Sequence, residues 1–129
     1  MAEDKLHHIQ SLAELESLFE TTTYVAVDFY ADWCPPCKTI APLFASLASK
    51  HGIPKSLALA KVNVDHVQSV AQKYRISAMP TFLFFKDGKQ VAVNGQAMIQ
   101  GADPRSLTAA VEKLGGLAQA RAGDGTPAS

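Results

Sequence analysis

Cysteine, tryptophan and surplus charge are all scarce in this 129-residue chain: it has two cysteines, one tryptophan and a formal net charge of +0. Two cysteines are too few for the disulfide framework of a small secreted domain. Twelve Lys plus Arg balance twelve Asp plus Glu, so no global field attracts nucleic acid or an anionic membrane surface. Long apolar runs are missing too. The most apolar stretches, Tyr24–Ala31 and Met79–Phe85, fall far short of the roughly 20 residues that cross a bilayer. The opening residues Met1-Ala2-Glu3-Asp4-Lys5 carry early acids and no apolar segment of signal-peptide length, which leads us to expect a cytoplasmic protein. What remains is an ordinary globular composition, 47% hydrophobic and 19% charged, of a length that suits one domain.

Caps and periodicity mark four helices. Ser11 and Glu14 form a capping box ahead of the apolar stripe Leu12, Leu15, Leu18 and Phe19. Ile40, Leu43, Phe44 and Leu47 repeat at helical spacing and stop at His51-Gly52. Asp65 and Gln68 resemble a second box before Val67, Val70, Ala71 and Tyr74. Asp103-Pro104 starts the last helix, and Gly115-Gly116 is expected to end it. Residues 117–129 are rich in Gly, Ala and small polar side chains, so the expected organisation is a domain over 1–116 followed by a flexible tail.

Strand-like runs lie between these helices: Tyr24–Tyr30, Leu57–Val64, Thr81–Phe85 and a stretch from Gln90, with Lys5–Gln10 as a short edge candidate. Asp87-Gly88 between two of them signals a hairpin. The earlier strands alternate with helices, which favours parallel crossovers. The sum is an α/β fold with a central mixed sheet and helices on both faces.

Chemistry concentrates in Cys34-Pro35-Pro36-Cys37, which follows a strand and opens a helix. A sulfur at a helix N-terminus sits among unpaired backbone N–H groups and the positive end of the helix dipole, both of which favour thiolate. Cys34 is therefore the expected nucleophile. Cys37, one turn deeper on the same side, can attack a mixed disulfide and close the ring. Prolines at 35 and 36 fit, because N–H groups there lack helical partners and a fixed φ stiffens the loop. Half a zinc site and a pair of inert buried cysteines are the alternatives. A closed zinc site needs two further ligands, and His7, His8, His51 and His66 show no matching spacing.

Several blocks, taken in order, are similar to the thioredoxin family: Val27-Asp28-Phe29-Tyr30-Ala31-Asp32-Trp33-Cys34-Pro35-Pro36-Cys37-Lys38, Ile40-Ala41-Pro42, Lys61-Val62-Asn63-Val64-Asp65, Ile76-Ser77-Ala78-Met79-Pro80-Thr81-Phe82 and Gly101-Ala102. The resemblance covers roughly residues 5 to 115. It implies the thioredoxin fold, with a sheet flanked by four helices, and a dithiol that reduces protein disulfides.

The resemblance also implies roles for further residues. Asp28, in an apolar strand, becomes a buried carboxyl with a raised pKa, suited to take a proton from Cys37. Lys61 approaches that carboxyl as a snorkelling cation. Pro80 is expected to be cis, leaving the Met79 backbone for an extended substrate strand. Trp33 forms an apolar docking shoulder. Pro35, Pro36, Gly101 and Ala102 complete the substrate surface, and Pro42 kinks its helix. The implied electron donor is an NADPH- and FAD-dependent thioredoxin reductase, and the implied acceptors are disulfide-containing proteins. The chain itself is expected to be a monomer with no bound cofactor and no nucleic-acid or membrane partner.

Three positions depart from the family pattern. Pro35 stands where glycine is usual, which removes an N–H near the Cys34 sulfur; since about 30 mV corresponds to about 1.4 kcal/mol, losing one hydrogen bond is worth tens of millivolts. The residues between the cysteines therefore tune the direction of electron flow. Tyr30 occupies a position often held by tryptophan. The segment Gly88–Gly101 is about five residues longer than usual and carries an extra Asn94-Gly95 turn near the docking surface.

Overall fold

β-Branched and aromatic residues build the central strands, and their alternation sorts two apolar sets onto opposite faces of one sheet. The computed structural model describes residues 5–123. In chain order the elements are β1 (His7–His8), α1 (Leu12–Thr21), β2 (Tyr24–Tyr30), α2 (Pro35–His51), β3 (Leu57–Asn63), α3 (Gln68–Lys73), β4 (Thr81–Lys86), β5 (Lys89–Val91), β6 (Met98–Gln100) and α4 (Pro104–Gly123). The strand order is β1-β3-β2-β4-β5, with β6 also paired to β4. β1, β3 and β2 run parallel, whereas β4 is antiparallel to β2, β5 and β6.

Ala26, Leu57, Leu59, Phe82 and Phe84 meet Ile40 and Phe44 of α2 and Leu107 and Val111 of α4 on one face. Val25, Val27, Phe29, Val62, Leu83 and Phe85 meet Leu15 of α1 and Val70 of α3 on the other. Each fully buried Leu or Phe contributes about 1.5–3 kcal/mol of transfer free energy, so this two-sided burial holds β2 at the centre. All seven residues of β2 pair with β3, from Tyr24 opposite Leu57 to Tyr30 opposite Asn63.

The Ser11 half of the first capping box is present, its hydroxyl accepting from Glu14 N at 3.1 Å, while the Glu14 carboxylate reaches one residue further back and accepts from Gln10 N at 2.7 Å. The second differs from expectation. Val67 precedes α3 without a side-chain cap. Asn63 Oδ1 instead accepts from Asp65 N at 2.9 Å and His66 N at 3.3 Å, while Gln68 Nε2 donates to the Asp65 carbonyl. At α4, Asp103 accepts from Ser106 N and from the Ser106 hydroxyl, and these hydrogen bonds hold its carboxyl below the ordinary range.

The expected end of the last helix at Gly115-Gly116 is corrected, because α4 continues to Gly123 and buries Ala118. The reason is packing against α2. A Cβ on Gly115 would lie 3.0 Å from His51 Nδ1, so the missing side chain allows the two helices to approach. Residues 124–129 of the expected tail lie outside the described residues.

Asp87-Gly88 makes the expected tight turn, with φ of 51° and 79°. The strand-like stretch expected from Gln90 onward is present as two short strands, β5 and β6. Val91 pairs with Phe84 and Met98 with Leu83, so β5 and β6 are successive parts of one edge strand. The chain leaves the edge between them, turns at Asn94-Gly95 with positive φ, and tucks Val93 into the core.

Candidate active site

β2 ends at Tyr30, and the chain reaches the start of α2 at Cys34. Cys34 is the N-cap of α2, and Cys34 and Cys37 are joined in a disulfide with their Cα atoms 5.3 Å apart. Prolines occupy the first two helical positions, so Cys37 supplies the first backbone N–H of the helix. That group donates to Cys34 Sγ at 3.2 Å. Burial does not distinguish the sulfurs, since Cys34 is 3% and Cys37 4% exposed. The N–H does, because it would stabilise a thiolate at Cys34. Pro42 lies inside α2, where its ring denies the helix one backbone donor.

The Met79-Pro80 peptide bond is cis, matching the expectation for Pro80. It sets the Met79 carbonyl oxygen 3.7 Å from Cys34 Sγ. The Pro80 carbonyl accepts from Gly101 N at 2.8 Å, which brings Gly101 and Ala102 to the same end of β4. Gly101 has φ 94°, a conformation that glycine adopts without the cost other residues bear. Pro35 and Pro36 are exposed, and Met79 is half-buried.

Trp33 is 65% exposed beside the dithiol. Its indole N–H donates to Asp65 Oδ2 at 2.9 Å, which holds the ring at the surface. A groove of about 360 Å³ runs alongside, lined among others by Asp65, Gln72, Arg75, Ile76 and Met79. A separate cavity of about 570 Å³ lies at the other end of the sheet, by Thr22 and Gly52, away from the cysteines.

Asp28 is 1% exposed, and its Oδ1 has no hydrogen-bond partner. Burial pushes its pKa from 3.8 up to about 7, opposed by the charge of Lys61. The β2–β3 register places Lys61 directly opposite Asp28. Lys61 is half-buried, with its ammonium 4.4 Å from the centre of the Tyr30 ring. Burial also raises the Tyr30 pKa above its ordinary value, partly offset by its interaction with the Asn63 side chain.

Comparison with known proteins places this geometry in a family. The thioredoxin family model matches residues 8–113. A thioredoxin-like protein of Fusarium culmorum is 69% identical over 116 residues, covering 90% of this chain and 96% of its own length. A thioredoxin of Neurospora crassa is 63% identical over 119 residues, covering 92% and 94%. Among solved structures, Plasmodium falciparum thioredoxin superposes with a TM-score of 0.74 at 36% identity, over 83% of this chain and 97% of that one. The chain belongs to the thioredoxin family. It has the thioredoxin fold and is a protein dithiol–disulfide oxidoreductase whose redox pair is Cys34 and Cys37.

Structure thus gathers Cys34, Cys37, Met79, Pro80, Gly101, Ala102 and Trp33 around one end of the sheet, with Asp28 and Lys61 on the strands that lead to it. Two contacts escaped sequence reasoning. Asp65 read as a helix cap and instead holds Trp33. Tyr30, noted in the sequence only as standing where tryptophan is frequent, faces the Lys61 ammonium. Neither pairing leaves a local spacing signal, because its partners lie more than 30 positions apart and meet only through the strand register.

Proposed function

We propose that this oxidoreductase works as a general reductant of disulfides in other proteins. The reduced Cys34 thiolate attacks one sulfur of a target disulfide, forming a mixed disulfide and releasing the other target sulfur as a thiolate. Cys37 gives up its proton and attacks Cys34 Sγ, which expels the second target sulfur and leaves the Cys34–Cys37 disulfide. Two electrons pass to the target, and the dithiol is oxidised. Thioredoxin reductase, drawing on NADPH through its FAD, would restore the dithiol.

The observation that carries this reading is the Cys37 N–H directed at Cys34 Sγ, beside the Met79 carbonyl. Asp28 would accept the Cys37 proton, a role supported by its place in β2 on the sheet face packed by α2 and by its pKa near 7. Lys61 would favour the ionised form of Asp28 that accepts this proton. The target would lie as an extended strand against Met79 and Pro80, between the Trp33 shoulder and Gly101-Ala102, with Pro35 and Pro36 beneath it. The protein would act as a cytoplasmic monomer. No helix among the described residues is long and apolar enough to cross a membrane.

Insulin reduction with thioredoxin reductase and NADPH tests the proposal. Wild-type protein is expected to turn over, Cys34→Ser to be inactive, and Cys37→Ser to accumulate a covalent adduct with the target. Turnover that survives in Cys34→Ser would refute the mechanism.

A further inference from the structure

Asp28, Tyr30, Lys61 and Asn63 share one face of two parallel strands, at the end from which the dithiol loop departs. The register sets Asp28 opposite Lys61 and Tyr30 opposite Asn63. Alternation turns Asp28 and Tyr30 to the side of Ala26, which α2 and α4 cover. Apolar groups dominate the remainder of that face: Phe82 and Phe84 from β4, Ile40 and Phe44 from α2, Leu107 and Val111 from α4. α2 adds Cys37, which cannot titrate in the disulfide. Lys61 supplies the charge that acts on Asp28, while Asp32 and Asp28 act on Tyr30.

A lysine stem does not by itself fix its ammonium, which water solvates strongly. The neighbouring aromatic ring can. Lys61 Nζ lies 4.4 Å from the Tyr30 centroid, within the roughly 6 Å over which a ring face attracts a cation.

We propose that Tyr30 is a positioning residue: its ring face holds the Lys61 ammonium at the mouth of the buried Asp28 site, so that the ammonium's charge acts on the carboxyl. Without the ring, the ammonium moves out into water, where its attraction for the carboxylate is weaker. Asp28 then keeps its proton to a higher pH. The catalytic consequence rests on the proton-accepting role proposed for Asp28, but the coupling of the three side chains does not.

The test is a carbon-NMR titration of the Asp28 carboxyl in the oxidised full-length chain, where neither cysteine titrates. Tyr30→Phe and Tyr30→Leu are compared, each alone and combined with Lys61→Met. Tyr30→Phe keeps a ring face and is expected to stay close to wild type. Tyr30→Leu is expected to raise the Asp28 midpoint by about half a pH unit or more, and this rise should disappear in the Lys61→Met background. An equal rise with and without Lys61, or no rise at all, would overturn the proposal. Amide spectra of each variant verify the fold, and Tyr30→Phe serves as the folded control. The pH dependence of insulin reduction is measured alongside. If the titration behaves as expected while the rate profile does not move, the proton role of Asp28 fails and the Tyr30–Lys61 contact stands.

Discussion

A carboxyl that titrates near 7 in the folded chain, against 3.8 ordinarily, couples proton binding to stability. The folded form binds this proton more tightly than the unfolded form does. The stabilisation is therefore complete below about pH 4 and is lost as pH rises to about 7. Above that, burying the ionised group costs on the order of 4 kcal/mol. Asp28→Ala is accordingly expected to be more stable than wild type at pH 8, with the advantage shrinking steadily toward pH 4. Urea midpoints across that range check it, and a difference independent of pH would contradict it. At this scale the sequence was informative where chemistry is local: the Cys-Pro-Pro-Cys spacing carried both thiols, and Asp28 stood out as a charge in an apolar strand. It was silent on Asp65 with Trp33 and on Tyr30 with Lys61, which depend on register.

Secondary structure was legible wherever a cap or a turn carried its own residues. Ser11 with Glu14, Asp103 with Pro104 and Asp87 with Gly88 all act where their side chains and backbone preferences point. Expectation failed where packing overrode local preference. Gly115-Gly116 has the composition of a stop, yet burial of Leu114 and Ala118 against the core carries α4 through it. The two glycines differ in surroundings: nothing lies within 4 Å of a Cβ added at Gly116, whereas at Gly115 His51 stands in the way. Gly116→Ala is thus expected to stabilise the chain by about 0.5–1 kcal/mol through lower backbone entropy in the unfolded state. Gly115→Ala should gain less or lose. Thermal melts of the pair check this, and equal gains would show that α2 and α4 do not approach closely there. The divided edge strand was half legible, since Asn94-Gly95 marked a turn but nothing local showed that β6 resumes the ladder β5 leaves.

Across the whole molecule, one sheet with apolar faces on both sides fixes where chemistry can occur. The strands' interior positions are filled by packing, so the redox pair sits beyond the end of β2, where a helix begins and a cis peptide turns the chain into β4. Sequence alternation of strands and helices conveyed this layering, and the family resemblance conveyed the site's membership. Everything then depends on the Cys34 sulfur being the more acidic thiol. The decisive measurement is the alkylation rate of each cysteine in the reduced protein as a function of pH, with the modified residue identified by mass. Cys34 is expected to react first, with a midpoint below the ~8.5 of an ordinary cysteine, and Cys37 to lag behind it. Equal, slow reaction of both thiols with midpoints near that ordinary value would contradict it.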